Sequence, residues 1–60
     1  MTFIEWKDEV IHDLRIDGGL SIREIFYALK DHGGCKEAFD RGVAHDDFAV
    51  SVMENLTGVN

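Results

Sequence analysis

A helix-start pattern occurs twice within the first 24 residues, and it constrains the fold more than any other feature of the chain. Thr2-Phe3-Ile4-Glu5 and Ser21-Ile22-Arg23-Glu24 both place a hydroxyl residue three positions before a glutamate. In such a capping box, each of the two side chains accepts a hydrogen bond from a backbone N–H that has no partner within the helix. Leu20 and Ile25 also occupy the two positions of a hydrophobic staple. We therefore predict one helix after Thr2 and another after Ser21.

Apolar side chains recur at helical spacing, and glycine-containing stretches separate the periodic segments. The stretches are Asp17-Gly18-Gly19, Gly33-Gly34, Gly42 and Gly58. The predicted apolar faces are Phe3, Trp6, Val10 and Leu14 with Ile4 and Ile11 beside them, then Ile22, Ile25, Phe26 and Leu29, then Cys35, Ala38 and Phe39, and finally Phe48, Ala49, Val52, Met53 and Leu56.

The last helix has an acidic residue, Asp46, at a position where we expect it to act as the N-cap. No run of alternating β-branched residues competes with helix, and the chain contains no proline. The predicted fold is all-α: a compact single domain over residues 1–60, a bundle of three main helices plus one short helix.

Charge limits the classes of partner. The chain has 12 Asp and Glu against 6 Lys and Arg, which gives a formal net charge of -6. Such a field repels nucleic acid and anionic lipid and attracts basic surfaces. We therefore expect a basic protein as the partner, with no direct binding to nucleic acid and no membrane contact. Solubility alone is the alternative explanation of the acidity.

The acid is unevenly distributed. At roughly 100° per residue, four carboxylates of the first helix share one sector opposite its apolar face, with His12 among them. Like charges four residues apart destabilise a helix, so this face carries a cost. A second group lies later in the chain, formed by Asp40, Asp46 and Asp47 and then Glu54 on the outward side of the last helix. The predicted partner-binding residues are Glu5, Asp8, Glu9 and Asp13 from the first group and Asp46, Asp47 and Glu54 from the second.

Other sites are not indicated by the sequence. Cys35, His12, His32 and His45 lack the paired spacing of a zinc site, so we expect no metal and no cofactor. We expect Cys35 to be a small core residue at the start of the short helix. His45 beside Asp46 lacks an accompanying nucleophile, and no catalytic motif is present, so we expect no enzyme. The unpaired cysteine, together with the absence of an apolar run long enough for a membrane span or a secretory signal, predicts a cytoplasmic protein.

The chain resembles the small acidic inhibitors made by bacterial viruses, including anti-CRISPR proteins and other DNA mimics. The resemblance rests on length, acidity, the Glu5/Asp8/Glu9/Asp13 face and the lack of catalytic motifs. It implies a non-enzymatic inhibitor in the host cytoplasm that occupies the basic nucleic-acid-binding groove of a protein or complex.

Two alternatives belong to other classes. A small helix-turn-helix regulator would bind DNA through the second helix and the "CKEAFDR" segment. A structural subunit would complete its core by dimerisation or by docking through Trp6 or Tyr27. A 60-residue chain buries only roughly 60% of its unfolded surface, so both a marginally stable monomer and a homodimer agree with the sequence.

Overall fold

Four α-helices account for most of the computed structural model, which describes residues 1–58. They are α1 (Phe3–Ile16), α2 (Ile22–His32), α3 (Cys35–Asp40) and α4 (His45–Thr57), and the described residues contain no strand. The all-α prediction, with three main helices and a short one, is confirmed. No helix within residues 1–58 has both the length and the apolar character needed to cross a bilayer.

Both predicted capping boxes are present. The Glu5 backbone N–H donates to the Thr2 hydroxyl over 3.2 Å, and the Thr2 N–H donates to Glu5 Oε1 over 2.8 Å. Ser21 and Glu24 repeat the arrangement at the start of α2 with the same two distances. A cap of this kind stabilises a helix by about 1 kcal/mol. The predicted stop after α2 is also observed, since Gly33 ends the helix with φ 69°.

The start of α4 differs from the prediction, because Asp46 is not its N-cap. The N-cap is Ala44, which provides no side-chain hydrogen bond, and Asp46 lies within the first turn. Tertiary contacts on both sides hold this start in place. The Trp6 indole N–H donates to Val43 O over 2.9 Å, and His45 Nδ1 lies 2.7 Å from Asp13 Oδ2.

The core lies mainly between α1 and α4, which share the most extensive helix–helix contact, and α2 covers one side. An aromatic cluster closes one end, where the Trp6 ring lies 5.8 Å from Phe39 and 5.2 Å from Phe48. Ile4, predicted beside the apolar sector, is exposed. The buried apolar residues are Trp6, Val10, Leu14, Ile25, Ala28, Leu29, Ala38, Phe48, Ala49 and Val52.

The buried face of α2 is rotated from the predicted one. Ile22 and Phe26 are 46% and 56% exposed, whereas Ile25, Ala28 and Leu29 are buried. The small Ala28 side chain, which the apolar pattern did not include, lies in the interface instead of the large Phe26. The predicted α2 face was therefore half wrong.

The two aromatic residues predicted as docking points also differ in burial. Trp6 is buried and its indole N–H is bonded within the chain, so the prediction that it docks a partner is wrong. Tyr27 is exposed, as are its neighbours Ile22 and Phe26. A homodimer stays a prediction, and α2 offers these side chains to a second copy. A melting temperature that rises with protein concentration would distinguish the dimer from the monomer.

Candidate acidic binding surface

The exposed part of the predicted acidic group on α1 is formed by Glu5, Asp8 and Glu9. Glu5 also serves the helix start, since its Oε1 accepts the Thr2 N–H. The pKa of Glu5 is lowered, first by the Thr2 backbone hydrogen bond and then by the Thr2 side chain. This carboxylate is therefore ionised at neutral pH and held in one place, while Asp8 and Glu9 project from the helix beyond it.

Asp13 has a different environment from the rest of this group. Its side chain is only 17% exposed, and its Oδ2 lies 2.7 Å from His45 Nδ1. The two residues are 32 positions apart in the sequence, so their hydrogen bond joins α1 to the first residue of α4. One oxygen of Asp13 is therefore engaged within the fold, and its charge is shared with the imidazole.

His45 makes a contact between helices that the sequence did not indicate. Its pKa is raised, first by the hydrogen bond to Asp13 and then by the charges of Asp13, Asp46 and Glu9, while burial opposes the shift. The histidine thus lies within the field of carboxylates from two helices. No local motif indicates this, because the partner that orients the ring comes from α1.

The two predicted acidic groups meet at this histidine. Asp13 reaches it from α1 through the 2.7 Å hydrogen bond, and Asp46 follows it directly in the first turn of α4. Asp46 Oδ1 accepts the backbone N–H of Asp47 over 3.0 Å, which holds its carboxylate at the helix start. Acidic side chains there interact favourably with the helix dipole. The sequence did not show whether the two acidic groups lie next to each other. In the fold they adjoin at the Asp13–His45 hydrogen bond.

Two other acidic residues lie away from the junction. Glu54 is exposed and lies eight residues after Asp46, about 12 Å further along α4 at 1.5 Å per residue. Asp40, which the sequence assigned to the second group, is paired with Lys36 over 2.8 Å on α3. Hereafter the seven predicted residues are called the acid face: Glu5, Asp8, Glu9, Asp13, Asp46, Asp47 and Glu54.

The helix-turn-helix alternative receives little support from the basic side chains. The Lys36 ammonium group is bonded to Asp40 and lies 5.5 Å and 5.6 Å from the Phe39 and Phe3 ring centres. The candidate recognition helix α3 is only six residues long and carries an exposed Glu37. Phosphate binding requires clustered and accessible cations, and α3 does not present them.

Potential metal ligands are dispersed. Within residues 1–58, no group of three or more His, Cys, Asp or Glu side chains is arranged to hold an ion. Cys35, predicted as a small core residue, packs half-buried against the core, and burial raises the pKa of its thiol. A raised pKa lowers the thiolate fraction, which makes this cysteine a poor nucleophile. His32 packs edge-on against Phe48 at 5.1 Å.

No protein-family model, curated protein or solved structure matches this chain. Its function is therefore inferred from its own side chains.

Proposed function

We propose that this protein is a non-enzymatic inhibitor that binds a basic nucleic-acid-binding surface of another protein or complex through its acid face. The observation that carries the proposal is the hydrogen bond between Asp13 and His45, which places the acidic residues of α1 beside those at the start of α4. This junction joins carboxylates from two helices into one surface. A surface of that extent can cover part of a groove, whereas one acidic helix could cover only a strip.

Charge spacing supports mimicry of nucleic acid. Carboxylates four residues apart on α1, such as Glu5 and Glu9, are displaced by about 6 Å along the helix axis. Phosphates of one DNA strand advance by about 3.4 Å each. The four carboxylates from Glu5 to Asp13 span about 12 Å of α1 at roughly 1.5 Å per residue, so their mean spacing of about 4 Å is comparable to that of the phosphates.

The net charge of -6 would act before contact is made. A strongly acidic protein is steered towards a basic surface, and such steering falls steeply with ionic strength. The inhibitor would then exclude nucleic acid by charge and by bulk, with no chemical step. This mode of action agrees with the resemblance to anti-CRISPR proteins and other phage DNA mimics, which would place the protein in the host cytoplasm.

The test uses a variant that spares carboxylates with structural roles. Asp8→Asn, Glu9→Gln and Asp47→Asn remove charge from the acid face, while Glu5 stays in its capping box and Asp13 stays on His45. The matched control removes the same charge outside the face, through Asp31→Asn, Glu37→Gln and Asp40→Asn. Circular dichroism first checks that both variants are folded.

Purified wild type and both variants are used to capture proteins from host lysate, at low and at high salt. We expect the wild type and the control to retain a nucleic-acid-binding complex that high salt releases, and the acid-face variant to lose it. The captured complex is then tested for DNA binding by gel mobility, with the wild-type protein as the competitor. Equal capture by all three proteins, or DNA binding that the wild type leaves unchanged, would contradict the proposal.

A further inference from the structure

A groove lies beside the acidic junction, between the C-terminal half of α1 and α4. Its volume is about 280 Å³. Buried Leu14 and Ala49 form its base, together with half-buried Met53. We call it the Met53 groove, and its lining residues are Asp13, Leu14, Asp17, Gly18, Asp46, Ala49, Val50 and Met53.

Gly18 allows the end of α1 to lie against Met53. A Cβ atom at this position would lie 2.6 Å from Leu14 O and 3.0 Å from Met53 Sδ. The first distance is to backbone, which cannot move aside as a flexible side chain would. Any larger residue would therefore have to shift the backbone turn at the end of α1, so the shape of this end of the groove depends on this glycine.

The groove combines an apolar base with an acidic edge. Asp17 and Asp46 are exposed carboxylates on α1's end and on α4, and Asp13 contributes a third from the His45 pair. Val50 is exposed and extends the apolar surface outwards. Pockets for drug-sized ligands measure about 300–1,000 Å³, so this groove is too small for most of them. Its size suits one long side chain.

We infer that the Met53 groove accepts an arginine side chain of the basic partner, an inference that rests on the proposed function. The methylene stem of an arginine would cover the apolar base, and its guanidinium group would reach the carboxylates at the edge. Charge complementarity selects a cation, because the edge carries three acidic residues and no basic residue. The groove thus turns a diffuse acid face into a surface with one defined anchor point.

Arginine suits this groove better than lysine for two physical reasons. The guanidinium group is less strongly hydrated than an ammonium group, so it loses less on entering a partly apolar groove. It also presents several N–H donors in a planar fork, which can pair with carboxylates bidentately. An ammonium group would be held at the acid face by charge alone. A preference for arginine therefore separates the groove from general electrostatic attraction.

The experiment is an NMR titration of the full chain with a short arginine-containing peptide, and with the same peptide carrying lysine in place of each arginine. We expect the arginine peptide to bind up to about fivefold more tightly, because the planar fork can make one partly exposed carboxylate contact more than an ammonium group does. The largest shift changes should fall on the Met53 methyl group and on the amides of Gly18 and Val50.

Two variants and a control locate the effect. Val50→Ser shortens the apolar surface without changing charge, and Asp17→Asn removes one edge carboxylate that lies outside the acid face. Both should abolish the preference for arginine. Glu37→Gln removes the same amount of charge from α3, and this variant should retain the preference for arginine. Thermal unfolding of each variant verifies that the fold is retained.

The outcomes separate this inference from the function on which it rests. Equal affinity for both peptides, with shift changes spread over Asp8 and Glu9, would overturn the groove and leave the acid face in place. A preference for arginine that survives both Val50→Ser and Asp17→Asn would also overturn it. Binding of neither peptide at low salt would contradict the proposed function as well, because the acid face would then fail to attract cations.

Discussion

At the scale of single residues, His45 is the side chain whose environment departs most from what its sequence neighbours indicate. Its hydrogen bond to Asp13 favours the protonated ring, as do the charges of Asp46 and Glu9. Both partners are partly exposed, at 32% for His45 and 17% for Asp13, so solvent screens the pair. The protonated histidine therefore places a positive charge beside Asp13 at mildly acidic pH.

We predict that Asp13→Asn lowers the His45 pKa. The wild-type value should lie above the ordinary histidine value of about 6.5, because protonation is favoured by the carboxylate. Losing the charge of Asp13 should move the His45 pKa back towards the ordinary histidine value. An NMR titration of the imidazole C–H signals measures the change. Asp8→Asn serves as the control, since Asp8 is not among the groups that shift this histidine, and an equal effect of both substitutions would contradict the prediction.

The sign of the linked stability change follows from the raised pKa. A group that binds its proton more tightly in the folded state stabilises the fold below its unfolded pKa. The contribution of the His45–Asp13 pair is therefore fully present below about pH 6.5 and is lost as the pH rises through the raised pKa. Thermal unfolding of the wild type, measured at increasing pH through the raised His45 pKa, should show this decrease in stability. The Asp13→Asn variant should show a smaller decrease.

At the scale of the helices, the starts of α2 and α4 form a natural comparison. Ser21 caps α2 through a complete capping box. Ala44 occupies the same position in α4 with extended backbone angles, φ -66° and ψ 144°, and provides no acceptor. These angles already suit a capping hydroxyl. The start of α4 is instead held by contacts from α1, through the bonds that Trp6 and Asp13 make to Val43 and His45.

We therefore predict opposite effects of two substitutions at these helix starts. Ser21→Ala should destabilise the protein by about 1 kcal/mol, because an N–H of α2 loses its acceptor. Ala44→Ser should stabilise it by about 0.5 kcal/mol; the gain is smaller because the Asp47 N–H already donates to Asp46. Urea unfolding measures both changes: the urea concentration at the midpoint should shift, while the dependence of the unfolding free energy on urea concentration stays constant. A destabilising Ala44→Ser would show that the α4 start cannot accept a local cap.

At the scale of the whole molecule, the excess of acid acts on stability as well as on binding. Glu5/Glu9 and Glu9/Asp13 are like-charge pairs four residues apart on α1. Each such pair destabilises a helix by about 0.2–0.5 kcal/mol, and salt screens the repulsion. A protein that retains this cost on one face gives up stability there, as expected if the face is used for binding.

We predict that NaCl raises the melting temperature of the wild type at low ionic strength. A gain of about 0.5 kcal/mol corresponds to roughly 2–4 °C for a domain of this size. Asp8→Asn with Glu9→Gln should reduce the dependence on salt, because Glu9 belongs to both repulsive pairs. The control pair Asp31→Asn and Glu37→Gln should change it less. Equal salt dependence in both variants would show that repulsion is not concentrated on the acid face.

What the sequence determined by itself is the set of helices and most of their ends. The capping boxes at Thr2 and Ser21 join residues three apart, and the stop at Gly33 depends on the backbone of a single residue, so both can be identified without knowledge of the fold. The acid pattern of α1 has the same origin, since helical spacing alone places Glu5 and Glu9 on one side.

Only the tertiary structure decided how these elements are joined. The burial of Ala28 instead of Phe26 depends on how closely α2 packs against its neighbours, and the sequence of α2 does not contain that distance. The Trp6–Val43 and His45–Asp13 bonds join residues 37 and 32 positions apart. No local pattern encodes such pairings, because they form only when the core brings α1 and α4 together. The place where the two acidic groups adjoin depends on that packing, and so does the Met53 groove.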